Sequence, residues 1–213
     1  MSTLATYKQS LTYRLASSNT SYHDDTEREA AINEAIGDIA ERYDIPALYK
    51  RGSLTFTSGM ATIPADCLRI VKIWNPTTQT IEYEYIPEDE FDGKPTTAAN
   101  YWSIDYDTAS STRKIKILPA SITTANIRYI FTPAVLANDS DVSSLPTQFD
   151  DAVAYKAAAI LLRNERSWDA FKAMDDEGNK MTIKAIDALK IQGGTKAGTR
   201  LKSRYEKYPL ITN

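Results

Sequence analysis

The side chains that could do chemistry are few and scattered. His23 is the only histidine and Cys67 the only cysteine. A zinc site wants several such ligands together, and a Cys–His nucleophile wants the two side by side. His23, in "SYHDD", reads as a solvated loop residue. Cys67, in "PADCLRIV", reads as a small core residue on a strand. Three Asp-Asp pairs occur, Asp24-Asp25, Asp150-Asp151 and Asp175-Asp176. Hard cations need several oxygens converging, and neighbours on a helix point about 100° apart. The first two pairs stand at predicted helix starts, where acids are favoured by the helix dipole. Glu82 and Glu84 share one side of "IEYEYI" and could suggest glycoside hydrolysis. Their alternation with Ile81, Tyr83 and Tyr85 is that of a solvent-facing strand side. Gly193-Gly194 lacks the strand, helix and lysine of a phosphate loop. The expectation is a protein without catalysis, metal or cofactor.

The elements that would position any site change texture along the chain. Leu4, Tyr7, Leu11 and Leu15 recur at helical spacing. A second helix starts near Asp24 or Asp25, carries Ala31, Ile32, Ala35, Ile36, Ile39 and Tyr43 on one face, and ends before Pro46. From "SLTFTSGMATIP" the period becomes two, with Ser58-Gly59 as a hairpin signal. "LRIVKIWN", "TIEYEYIP", "YWSIDYD", "RKIKILP" and "NIRYIFTP" continue as short strands with no predicted helix between, which implies an antiparallel sandwich or barrel. Helices return at "LPTQFDDAVAYKAAAILLRNE" and "SWDAFKAMDDEGNKMTIKAIDALK", where Gly178 is a candidate kink. The fold expectation is α+β. N-terminal helices (1–50) and C-terminal helices (141–191) form one bundle, an antiparallel β block (51–140) is inserted between them, and an extended arm (192–213) follows.

Composition bounds the class. Apolar residues make up 42% of the chain and charged residues 25%, so a core can form without staples. One cysteine allows no intrachain disulfide, which fits synthesis in a reducing compartment. No apolar run approaches the roughly 20 residues of a membrane span, and the N-terminus has no signal-peptide pattern. The net charge of −3 is unevenly spread. Residues 190–213 hold six basic side chains against Glu206, so an acidic body ends in a basic tail.

Two features then call for other protein chains. From Ala152 to Leu162 the only charge is Lys156, and the helix is apolar nearly all round. An ordinary surface helix has a polar back. A second copy packed against Ala152, Tyr155, Lys156, Ala159 and Arg163 would supply the missing cover, and such a contact repeated head to tail closes into a ring. The tail, with Lys196, Arg200, Lys202, Arg204, Tyr205, Lys207 and Tyr208, could extend roughly 70 Å from Gly193 to reach another protein.

The order of motifs resembles the head-to-tail adaptors (connector or head-completion proteins) of tailed bacteriophages. "REAAINEAIGDIAERYDIPALY" is similar to their second-helix region. "TIPADCLRIVKIW" is similar to their "LP-acid-x-x-R" strand, here Ile63, Pro64, Asp66 and Arg69. "YWSID…IKILPASITTANIRYIFTPAVL" and "LPTQFDDAVAYKAAAILL" resemble the later hairpin and the resuming helix. The resemblance covers about residues 25–165. It implies a non-enzymatic virion protein of the neck, made in the host cytoplasm. It also implies a ring, commonly of twelve copies, under the portal protein, with the C-terminal arm docked on the portal. The β block would meet the next tail component, a nozzle or tail tube, and double-stranded DNA would pass through the lumen without specific binding. The competing reading is a receptor- or carbohydrate-binding module built on Trp74, Tyr83, Tyr85, Tyr101 and Trp102, rings that would otherwise fill the β core. A small hydrolase would have to rely on the lone His23.

Overall fold

The computed structural model describes residues 1–15, 23–78, 81–97, 100–107 and 112–192. It is a mixed α+β protein. In chain order the elements are α1 (Leu4–Leu15), α2 (Asp25–Arg42), β1 (Tyr49–Thr55), β2 (Met60–Thr62), β3 (Cys67–Trp74), β4 (Glu82–Tyr85), α3 (Glu88–Asp92), β5 (Tyr101–Asp107), β6 (Thr112–Leu118), β7 (Thr124–Phe131), α4 (Asp150–Asn164) and α5 (Trp168–Gln192). They fall into two compact units. Of the described residues, one takes Met1–Leu48 and 132–192; the other takes Tyr49–Phe131.

In the helical unit the predicted stripes are the buried ones. Leu4, Tyr7, Leu11 and Leu15 of α1 are all buried, as the three-and-four spacing requires. Helix α2 begins on Asp24, whose carboxylate accepts the Glu27 N–H at 2.8 Å. That satisfies one of the donors a helix start leaves open, and Asp25 and Glu27 add acids to the first turn. Its buried face is Ala31, Ile32, Ala35, Ile36, Ile39 and Ala40.

Helix α4 is the centre of this unit, and α1, α2 and α5 all pack against it. All five of its alanines are at most 1% exposed, and Val153, Leu161 and Leu162 are buried too. The chain's own helices therefore cover α4, and the expectation that a second copy must do so is corrected. Alanine makes this possible, because short side chains let three neighbouring backbones come close.

Gly178 does not interrupt α5, which runs unbroken through it. The glycine serves packing instead. A Cβ built there would lie 3.0 Å from Lys156 Cγ and 3.3 Å from the Lys156 backbone nitrogen. The lack of a side chain is what lets α5 lie this close to α4.

The β unit is one seven-stranded sheet in the order β1-β7-β3-β4-β5-β6-β2. Its end strands β1 and β2 touch each other, so the sheet is nearly closed and barrel-like rather than a two-sheet sandwich. They are joined through Ser58 and Gly59, with φ of 52° and 77°. Positive φ at both central residues is the tight hairpin turn that the Ser-Gly pair signals. Leu54, Ile70, Ile73, Trp102, Ile115 and Ile127 lie at the heart of the core. The all-antiparallel expectation fails at one pair, because β4 and β5 run parallel. Short helix α3 lies in the connection between them, and a parallel pair needs such a crossover.

Filling the α4–α5 crossing should be costly. Gly178→Val is expected to destabilise the protein by about 2 kcal/mol, as overpacking does. Chemical denaturation of the variant beside the parent checks this, and an unchanged midpoint would refute the close-approach account.

Candidate interaction surfaces

Of the five α4 residues expected at a contact between copies, three are enclosed. Ala152, Lys156 and Ala159 are buried inside the subunit. Tyr155 is half-buried, with the Arg14 guanidinium 4.1 Å from its ring centroid. Arg163 is exposed and pairs with Glu34 at 2.9 Å. Only these two remain available to a neighbour. The arm residues Lys196, Arg200, Lys202, Arg204, Tyr205, Lys207 and Tyr208 lie outside the described residues.

Lys156 is a charge held inside the helical unit. Its side chain is 3% exposed, with Nζ 2.8 Å from Asp175 Oδ1 and 3.8 Å from Asp38 Oδ2. Asn179 donates to Asp175 at 3.1 Å, and Arg42 pairs with Asp38 at 3.0 Å. A buried ammonium is tolerable only with such compensation. The network ties α2, α4 and α5 together, so Asp175 is a counter-ion rather than part of a cation site.

The other acid pairs divide. Asp24 caps α2 as expected. Asp150 does not cap α4. It accepts hydrogen bonds from the hydroxyls of Ser2 and Tyr7 and fastens the N-terminus and α1 to α4. Burial, with Asp150 adding to it, pushes the Tyr7 hydroxyl well above its ordinary range. Asp151 pairs with Arg14. The solvated reading of His23 is corrected as well. Its side chain is 9% exposed, with Nδ1 3.2 Å from Glu27 and Nε2 2.7 Å from Glu165.

In the β unit Cys67 is buried, and burial pushes its thiol up to about 12, the reverse of what a nucleophile needs. Beside it, Asp66 accepts from Lys50 Nζ at 2.7 Å and from the Tyr129 hydroxyl at 2.9 Å. The Lys50 bond chiefly holds this carboxyl below its usual range. Glu82 and Glu84 are exposed, as the alternation indicated. Among the described residues no group of three or more His, Cys, Asp and Glu side chains is placed to hold a metal ion.

The aromatic platform is not assembled. Trp102 and Tyr83 are core residues, 1% and 3% exposed. Tyr85 tilts against Trp102 with ring centroids 4.9 Å apart. Tyr101 and Trp74 are only partly exposed.

One arrangement escaped the sequence reading. Arg51, Arg128 and Lys72 stand side by side across β1, β7 and β3. They are far apart along the chain, and only the register of three strands brings them together.

Over residues 2–201 the sequence matches the family model of a bacteriophage adaptor, a component of the virion. The chain belongs to that family, the SU10 adaptor proteins. No curated protein matches the sequence. Among the described residues no helix is long and apolar enough to cross a membrane.

Two measurements test these assignments. Lys156→Ala leaves Asp175 without its cation and Asp38 with Arg42 alone, and should destabilise the protein by about 3 kcal/mol. A loss under 1 kcal/mol on denaturation would refute the network's role. Asp66 has a depressed carboxyl, so its ionised form is favoured by folding. Its stabilisation is present above the unfolded-state value and is lost as pH falls through the lower folded one. Asp66→Asn should therefore flatten part of the acid-side fall in melting temperature. Parallel pH profiles for variant and parent would contradict this.

Proposed function

We propose that this chain is a head-to-tail adaptor that assembles as a twelve-fold ring between the portal protein and the tail. The observation that carries the reading is the adaptor-family match over residues 2–201. In this reading the four long helices act as one bundle and form the scaffold of the ring. The β unit faces the next tail component, a nozzle or tail tube. The C-terminal arm docks on the portal, and double-stranded DNA passes through the lumen without specific contacts. The role is structural, not catalytic.

The self-covered α4 changes how such a ring would form. Each subunit has a finished core before it meets a neighbour. Ring contacts then fall to surface groups such as Tyr155 and Arg163, not to the alanines of α4. Finished subunits held by polar contacts join late and reversibly, as non-obligate partners do. The arm's five basic side chains against one acid suit an acidic groove on the portal.

Electron microscopy of the full chain mixed with its portal tests the whole reading, and the expected image is a twelve-fold ring on the portal's tail-facing side. Reversing Arg200, Lys202 and Arg204 to Glu should abolish docking while leaving the melting temperature unchanged. Docking should also weaken as salt rises, because exposed charges are screened beyond about 8 Å at physiological ionic strength. A variant that still docks would remove the arm from its assigned role.

A further inference from the structure

The row Arg51–Arg128–Lys72 is unfavourable as it stands. Arg128 is the register partner of Arg51 on one side and of Lys72 on the other. Directly opposed residues point to the same sheet face with Cβ atoms about 5 Å apart, and like charges so placed repel. The sheet offsets this only in part. Lys72 lies 3.8 Å from Glu82 and 5.2 Å from the Trp74 ring centroid, and the Arg128 guanidinium lies 5.8 Å from that of Tyr49. Among the described residues no carboxylate pairs with Arg51 or Arg128. Arg51 is exposed and lines an open cleft of about 320 Å³ with Gly52, Trp74 and Asn126. The face is built to receive an anionic surface.

The β unit itself carries exposed acids on β4, the strand beside β3, and on α3 after it. Its residues 49–131 hold nine basic and nine acidic side chains, so the unit is neutral but sorted. From Glu82 to Asp92 there are six acids and no base. Lys116 takes Glu88 and Asp92 at 3.7 and 3.3 Å, and Lys72 takes Glu82. That leaves Glu84, Asp89 and Glu90 exposed and, among the described residues, without a cation. This acidic edge belongs to β4 and α3, while the cationic row crosses β1, β7 and β3.

We propose that the cationic row Arg51–Arg128–Lys72 docks on the acidic edge Glu84–Asp89–Glu90 of a second copy of this chain, making a head-to-tail contact between β units. The proposal deepens the ring reading and rests on it. A two-fold contact of the row with itself would set cation against cation. A row meeting the acids of another copy joins two different patches, which permits the heterologous contact that repeats around a ring. Phosphates of DNA would also satisfy the row, but the unit's neutrality and its own matching acids favour a copy of itself.

Charge exchange in the full-length protein tests this. The row variant carries Arg51→Glu and Arg128→Glu; the edge variant carries Glu84→Lys, Asp89→Lys and Glu90→Lys. Sedimentation velocity over a concentration series, with and without portal, reads self-association. Each variant alone should associate at least about tenfold more weakly than the parent, since opposed like charges across an interface are costly. Mixing the two variants, or combining both sets in one chain, should restore association, because the complementarity is then re-formed with the signs exchanged. Circular dichroism and melting confirm folding, and Arg51→Gln with Arg128→Gln replaces the row variant should it fail to fold. Rings that persist on the portal with the row variant overturn this contact and leave the ring reading intact. A loss of DNA retention without any loss of self-association assigns the row to DNA and likewise overturns it. A parent chain that never associates, even on its portal, overturns both.

Discussion

The enclosure of α4 is the constraint on which the helical unit depends. Its alanines contribute little apolar area each, but they let α1, α2 and α5 approach a common axis. Close approach then leaves no room for a second-rank fit. A Cβ at Gly178 would press on Lys156 at 3.0 Å, and Lys156 must place its ammonium where Asp175 and Asp38 can reach it. Desolvating that ammonium costs several kcal/mol, which an apolar residue of like volume would avoid. The charge gives direction in return. Three helices can slide along an apolar seam, but only one register satisfies the ammonium.

An internally satisfied core shapes what assembly can be. Chains that finish their hydrophobic core only in an oligomer have no stable free subunit. Here the apolar helix is covered before any partner arrives, so contacts with other proteins fall to surface groups. Those groups are polar and charged, such as Arg163 with Glu34 and the cations along β1, β7 and β3. Contacts of that kind give register and specificity more than raw affinity. That suits a part added to a growing particle in a fixed order.

Much of the fold was legible in the sequence because it is local. The stripe Leu4, Tyr7, Leu11 and Leu15 is a helix read at its own period, and Ser58-Gly59 is a turn read from the φ values it tolerates. What failed was non-local. The apolarity of α4 is visible in its residues, but the number of its neighbours is not, so cover by kin was inferred where cover by self exists. The parallel pairing of β4 with β5 hangs on α3, five residues long and too short to show a helical period. His23 looked solvated because Glu165, which faces it, lies at the end of a helix far along the chain. The candidate surfaces divide in the same way. The basic tail is a run and can be counted, whereas the cationic row exists only in the register of three strands.

Net charge was therefore the wrong scale on which to ask what this protein binds. At physiological ionic strength exposed charges sense one another over about 8 Å, so a partner meets patches rather than sums. A chain of charge −3 with a neutral β unit still offers one face where three cations stand shoulder to shoulder and one edge where acids outnumber lysines. Sorting like charges together costs stability in the free subunit, and dispersing them would relieve it. A surface that keeps the cost while its core needs no partner carries the signature of a contact made after folding. In this chain the core specifies the subunit, and the proposed contact between copies draws on the sorted surface alone.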